Sequence, residues 1–215
     1  MDITYLGHSS FKLRGKAATV VTDPYRSSIG LPFPKHVTSD IVTVSHDHDD
    51  HNAISAVEGT PFIVTGPGEY EIKGVGIVGL GVYHDDEKGA KRGKNTIYRI
   101  ELDGLSVVHL GDLGHELSAA QVDSLDGVDI LLVPVGGIYT IDAGLAAKIV
   151  GEIEPTIVIP MHYNRPDLDQ KMFGTTAGVD AFLREMGKTD VSPQPKFSVT
   201  RDKLPEQMQV IVLQS

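Results

Sequence analysis

The sequence has no cysteine among its 215 residues. That excludes disulfides and thiolate metal ligands together, and it fits a reducing cytoplasm. Basic charge is in short supply as well. Nineteen Lys and Arg face 29 Asp and Glu, a net charge of −10, which argues against a surface broadly adapted to nucleic acid. No apolar run approaches bilayer-spanning length, so no membrane partner is expected. Met1-Asp2-Ile3-Thr4-Tyr5 has neither a basic start nor an apolar stretch of signal-peptide type. Internal repeats, low-complexity tracts and convincing linkers are also missing. Apolar residues at 40% and charged residues at 22% are ordinary globular values, so residues 1–215 are read as one folded domain.

The first half is strand-like and punctuated by glycine and proline. Ile3–Leu6, Phe11–Leu13, Thr19–Val21 and Ile41–Val44 are followed by Phe62–Val64 and the run Val75–Val82. Asp103-Gly104 between Ile97–Leu102 and Ser106–Leu110 is a hairpin signal. Helices then alternate with strands. Ser118-Ala119-Ala120-Gln121 has capping-box form, and Asp142 is placed to cap a helix running to about Ile153. Ala177–Met186 reads as helix, and Gly66–Glu71 as a turn. Strands first with helices later indicate a layered α/β fold.

The chemistry concentrates in one stretch, His46-Asp47-His48-Asp49-Asp50-His51, directly after the apolar Ile41–Val44. Alternate residues of extended backbone share a side, so His46 and His48 can aim two imidazoles at one point, with Asp50 next in the alternation. His51 follows where the chain is expected to turn into a helix at Asn52-Ala53-Ile54. Two pairs of ligands suit two neighbouring metals, and imidazole with carboxylate and no sulfur suits zinc, manganese or iron. His-x-His-x-Asp-His arises by chance in about one such chain in a thousand, so a merely polar loop is the weaker reading.

This segment resembles the signature of the metallo-β-lactamase superfamily, and later residues follow in the family's order. His84 closes the Val75–Tyr83 run, Asp112 sits in Leu110-Gly111-Asp112-Leu113-Gly114, and His162 follows Ile159-Pro160-Met161. The opening Tyr5-Leu6-Gly7-His8-Ser9-Ser10-Phe11, with Thr22-Asp23-Pro24, resembles the branch of metal-dependent hydrolases that includes ascorbate-6-phosphate lactonase.

The resemblance implies a four-layer αββα sandwich and a dinuclear hydrolase. His46, His48 and His84 would hold one divalent ion, and Asp50, His51 and His162 the other, with Asp112 bridging. Zinc is the first expectation, with manganese or iron as alternatives. A metal-activated hydroxide would attack a small anionic ester, lactone or phosphodiester, with Asp50 orienting it and taking up a proton. His8 is implied as a catalytic pocket residue and Asp23 as the acceptor of a ligand histidine's far N–H. Other functions stay open beside this one: a mononuclear iron oxygenase, or a non-catalytic metal-binding protein. Homo-oligomerisation is also open.

The remaining candidates are peripheral. Lys88, Lys91, Arg92 and Lys94 form either a basic lip for an anionic substrate or a solvated loop, the commoner fate of a charge run. His115 is placed to face the pocket or solvent, His109 to pack inside a strand, and Tyr139 to reach the pocket edge. Glu69 is expected to stay in its turn, and His36 carries no signal.

Overall fold

In the computed structural model, which describes residues 1–215, side-chain alternation along the strands sorts the apolar residues onto two sheets. The first sheet contains β1 (Asp2–Gly7), β2 (Ser10–Arg14), β3 (Thr19–Thr22), β4 (Ile41–Val44) and β5 (Phe62–Thr65). The second contains β6 (Gly68–Ile72), β7 (Val75–Tyr83), β8 (Lys94–Leu102), β9 (Leu105–His109), β10 (Ile130–Pro134) and β11 (Ile157–Met161). Two short late strands, β12 (Phe197–Ser198) and β13 (Gln209–Val210), give the orders β12-β1-β2-β3-β4-β5 and β13-β11-β10-β9-β8-β7-β6.

The core lies between the sheets. Ile3, Tyr5, Phe11 and Leu13 enter it from the first sheet, and Tyr98, Ile100, Ile130, Leu132, Ile157 and Ile159 from the second. The intervening Ile97, Leu131, Val133 and Val158 point to the outer face, where they meet Ala146, Ile149, Val150, Phe182 and Leu183. Those residues belong to α2 (Ala143–Ile153) and α4 (Val179–Glu185). Burial on both faces explains why β10 and β11 read as unbroken apolar runs. The first sheet's outer face is covered by Phe33, Val37, Ile54 and Val57, from segments containing the 3-10 turns Ser27–Ile29 and Ile54–Ala56. The α/β sandwich of the expected class is therefore present, with turns rather than an α-helix forming that outer layer.

Local signals mostly act as written. Ser118 and Gln121 form both halves of a capping box at α1 (Ala119–Asp123), and Asp142 accepts from Leu145 N–H. Asp103 and Gly104 turn the β8–β9 hairpin with φ 55° and 74°, the positive pair that a two-residue I′ turn needs. Three expectations are corrected. The helix at Asn52–Ile54 is only the 3-10 turn, since Ala53 leaves helical geometry with ψ 58°. Residues 68–71 belong to β6, because Gly68–Ile72 pair antiparallel with β7. The helix read over 177–186 starts later, at Val179, with Gly178 in extended geometry before it. No helix is long and apolar enough to cross a membrane.

Topology then places the chemistry. β1, β3 and β4 run in one direction, as do β7, β9, β10 and β11 in the second sheet. His8, Asp23, His46, His84, Asp112 and His162 each follow the carboxyl end of one of these strands, so all six meet at one edge of the sandwich.

Leu132 is fully buried between the sheets, whereas Phe62 on β5 is 51% exposed. Leu132→Ala is expected to lower unfolding free energy by about 2–5 kcal/mol, and Phe62→Ala to change it by less than about 0.5 kcal/mol. Urea denaturation of the two variants checks this; equal midpoints would misplace the core.

Candidate metal centre

Three of the strand ends redirect their side chains by the same device. His8, Asp23 and His162 are each the first residue past a strand, with φ of 54°, 40° and 51°. These left-handed values are uncommon outside glycine and turn the side chain away from the sheet's alternation. The 46–51 segment leaves β4 in a tight loop, with His51 N–H donating to the His48 carbonyl at 2.9 Å.

The result is one dense group. Ligand atoms of His46, His48 and His84 lie within 4.8 Å of one another, and so do those of His8, Asp50, His51 and His162. Asp112 stands between the two sets. Its Oδ2 is 3.2 Å from His51 Nε2, 3.2 Å from His162 Nε2, 3.3 Å from His84 Nε2 and 3.9 Å from His46 Nε2. The structure thus brings together all seven residues read as ligands, and it adds His8 to the second set.

Whether this set suits a cation can be judged from its hydrogen bonds. His46 Nε2, His51 Nε2, His162 Nε2, His84 Nδ1 and Asp112 Oδ1 are all buried without a hydrogen-bond partner. Buried polar atoms are normally satisfied, because leaving one unpaired costs about 1–3 kcal/mol. Several unpaired imidazole nitrogens around one carboxylate fit metal ligation, and the donor set could bind metal.

Asp23 supports the group from behind. It is fully buried and accepts from Ser45 N–H at 2.8 Å, Ser45 Oγ–H at 2.5 Å and His51 Nδ1 at 2.8 Å. With Nδ1 donating to this carboxylate, Nε2 is the nitrogen that points at Asp112 and Asp50. Asn95 braces the next loop, accepting from Asp112 N–H at 3.1 Å and donating to the Leu110 carbonyl at 2.8 Å.

Electrostatics divide the group by charge. Burial opposes ionisation of Asp112, but His162 and His51 hold its carboxyl well below the usual range. Burial likewise opposes the charge on Asp50, which His51 and His8 pull down. Burial and His51 push His46 down to about 3, and burial and His162 push His8 down to about 4. These two imidazoles are neutral at pH 7. His51 is the exception: burial disfavours its charge, yet Asp112 and Asp50 raise it well above the ordinary value. A cation taking its Nε2 must displace that proton.

His8 is less open than a pocket residue need be. It is 1% exposed, its Nε2 lies 3.2 Å from Asp50 Oδ2, and its ring centroid is 4.2 Å from that of His162. The cavity over the group, about 250 Å³, is lined instead by His48, Asp50, His84, Asp112, Arg92, Tyr139, Met172 and Phe173. Met172 and Phe173 belong to α3 (Gln170–Phe173), which the sequence reading missed; Asp169, which caps it through Lys171 N–H, was the available signal. Tyr139 does reach the pocket edge. His115 faces neither the cavity nor open solvent alone, since its Nε2 accepts from Tyr83 N–H at 3.1 Å. His109 is packed, donating from Nε2 to the Ser9 carbonyl at 2.8 Å while Nδ1 accepts from Gly111 N–H. Glu69 is exposed on β6, and exposed His36 pairs only with Glu58.

The chain is similar to known proteins in sequence and in fold. Residues 2–162 match the profile of the Beta-lactamase superfamily domain. A UPF0173 metal-dependent hydrolase from Staphylothermus marinus is 30% identical over 231 residues, covering 89% of this chain and 99% of its own. Another, from Thermoplasma acidophilum, is 29% identical over 205 residues, covering 83% and 91%. Among solved structures, a metallo-β-lactamase superfamily protein from Thermotoga maritima has a TM-score of 0.80 at 34% identity, covering 99% of this chain and 97% of that one.

Removing the Asp23 carboxylate leaves His51 Nδ1 and Ser45 N–H without their acceptor. Asp23→Ala is expected to weaken metal affinity by about 10–100-fold, the usual cost of losing a group that orients a ligand histidine. Ser45→Ala, which spares the carboxylate, should cost less. Chelator competition measures both, and an unchanged affinity in Asp23→Ala would show that His51 is oriented by other contacts.

Proposed function

This chain belongs to the Beta-lactamase superfamily domain family and is a metal-dependent hydrolase, and we propose that it uses two divalent cations to hydrolyse a small anionic ester, lactone or phosphodiester. The observation that carries the reading is the placement of Asp112 against two adjoining sets of ligand atoms, His46/His48/His84 and Asp50/His51/His162 with His8 beside them. One ion per set with a shared carboxylate is the simplest use of that geometry. Zinc is the first choice, since the donors are mostly imidazole and the Thermotoga maritima protein is proposed to depend on it. Work in the cytoplasm belongs to the same reading and rests on the cysteine-free composition. The lactone part of the substrate class rests on the resemblance of Tyr5–Phe11 and Thr22–Pro24.

When bound, divalent cations lower the pKa of the water they hold and offset negative charge on the attacked oxygen. The chain's own residues do the rest. Asp50 lines the cavity, and His8 Nε2–H engages its Oδ2, leaving Oδ1 to orient a water and accept its proton. Burial keeps His8 neutral, so it donates to Asp50 without competing as a cation. Met172, Phe173 and Tyr139 add an apolar stretch to the cavity lining that limits bulk water.

Asp112→Ala is expected to lose metal and hydrolysis together, because it removes the carboxylate shared by both sets. His8→Ala should retain its metal and turn over about 10–100-fold more slowly, since it removes only the group that positions Asp50. Metal stoichiometry alongside hydrolysis of a phosphodiester that the wild type turns over tests the pair. Two tightly held metals with full activity in Asp112→Ala would remove the shared-carboxylate assignment, and metal loss in His8→Ala would move His8 among the ligands.

A further inference from the structure

The basic run after His84 is not uniform. Lys91 pairs with Glu87 at 2.6 Å on the exposed side of the loop. Arg92 is half-buried, has no carboxylate partner, and lines two cavities at once. One is the 250 Å³ space over Asp50 and Asp112. The other, about 750 Å³, lies beside it against His46, His48 and Lys94.

Arg92 is held there from both ends. The Asp85 carboxylate, itself buried, accepts backbone N–H bonds from Glu87 (2.9 Å), Gly89 (2.8 Å), Lys91 (2.9 Å) and Arg92 (2.7 Å). Four such donors fix the loop in one shape, so this charge run is not a loose solvated hairpin. The guanidinium carbon lies 5.3 Å from the centroid of Tyr139, within cation–π range. Tyr139 is anchored in turn, its hydroxyl donating to the Met172 carbonyl at 2.8 Å. A flat, unpaired cation positioned by a capped loop and an aromatic face is preorganised for a carboxylate or phosphate.

We propose that Arg92 anchors an anionic group of the substrate other than the group being hydrolysed, holding it at the junction of the two cavities. The inference rests on the hydrolase reading above and deepens it: the substrate carries two polar ends, one at the His/Asp group and one at Arg92. Met172 and Phe173, which adjoin Tyr139 in the cavity lining, suit a short apolar connection between them.

Binding of unreactive probes tests this apart from turnover. Metal-loaded protein is titrated by calorimetry with phosphonoacetate, 3-phosphonopropanoate and 4-phosphonobutanoate, and with alkylphosphonates of matched length. The phosphonate end is common to all; only the first series adds a carboxylate. In the wild type, at least one two-headed probe should bind about tenfold or more tighter than its one-headed match, the scale of a charge-assisted bidentate contact. Arg92→Met should abolish that gain, Arg92→Lys should keep part of it, and Lys91→Met should keep all of it, with metal content unchanged in each. Equal affinities at every length, a gain that survives Arg92→Met, or loss of metal in Arg92→Met would each overturn the anchor role. Failure of every protein to hydrolyse any ester, lactone or phosphodiester would instead count against the function proposed above, since the probes need no turnover.

Discussion

The constraint on which the structure depends is the burial of one carboxylate, Asp112, among imidazole nitrogens supplied by three distant parts of the chain. His51, His84 and His162 each place Nε2 within 3.3 Å of its Oδ2. Such a group opposes folding, because charge is desolvated and several nitrogens are left unpaired. It persists only if the scaffold fixes each ligand independently. The two packed sheets do this by ending their strands at the same edge, with an inter-sheet core of 23 buried residues holding the strands in register. The loops then approach closely enough that two glycines are required: a methyl group at Gly114 would overlap the His84 carbonyl, and one at Gly136 the His162 carbonyl. Each of these glycines lies beside the strand end that delivers a ligand.

Part of the backbone strain falls at the same edge. His8, Asp23 and His162 occupy left-handed backbone conformations, which cost on the order of 1–3 kcal/mol each where no glycine relieves them. Several local rules hold away from the site: caps at Ser118 and Asp142, a hairpin at Asp103-Gly104, and alternation along β8. His36, Lys73, Lys88, Ile138 and Glu154 are also left-handed, in turns and at element ends.

That contrast explains what the sequence disclosed. The cluster from His46 to His51 was legible because its ligands are neighbours in the chain, and the buried parallel strands were legible as apolar runs. His84, Asp112 and His162 carry no local signature; only their order in the family's pattern singled them out. The contact between His8 and Asp50 spans 42 positions and has no periodic trace. α3 has four residues, too few for a helical period, so Met172 and Phe173 stayed invisible as cavity wall. β6 was hidden behind Gly66-Pro67-Gly68, whose composition signals a turn even though the strand begins at its last residue. The basic loop was legible as charge but not as geometry. Only the Asp85 cap and the Lys91–Glu87 pair separate a half-buried Arg92 from its solvated neighbours.

Charge links the two ends of the site. Without cations, Asp50 and Asp112 are both held ionised and are offset by Arg92 and by His51, whose Nε2 lies beside both carboxylates. An anion entering that space meets little net attraction. Two divalent cations, as proposed above, would more than offset the two carboxylates, so a field that strongly attracts an anion would exist only in the loaded protein. Anion binding and metal binding would then strengthen each other to the same degree, since coupling between two sites is reciprocal. On that reading, a chain with an overall charge of −10 needs no broad basic surface to take an anionic substrate, since the attraction is confined to a cavity made positive by the cations that its ligands would hold.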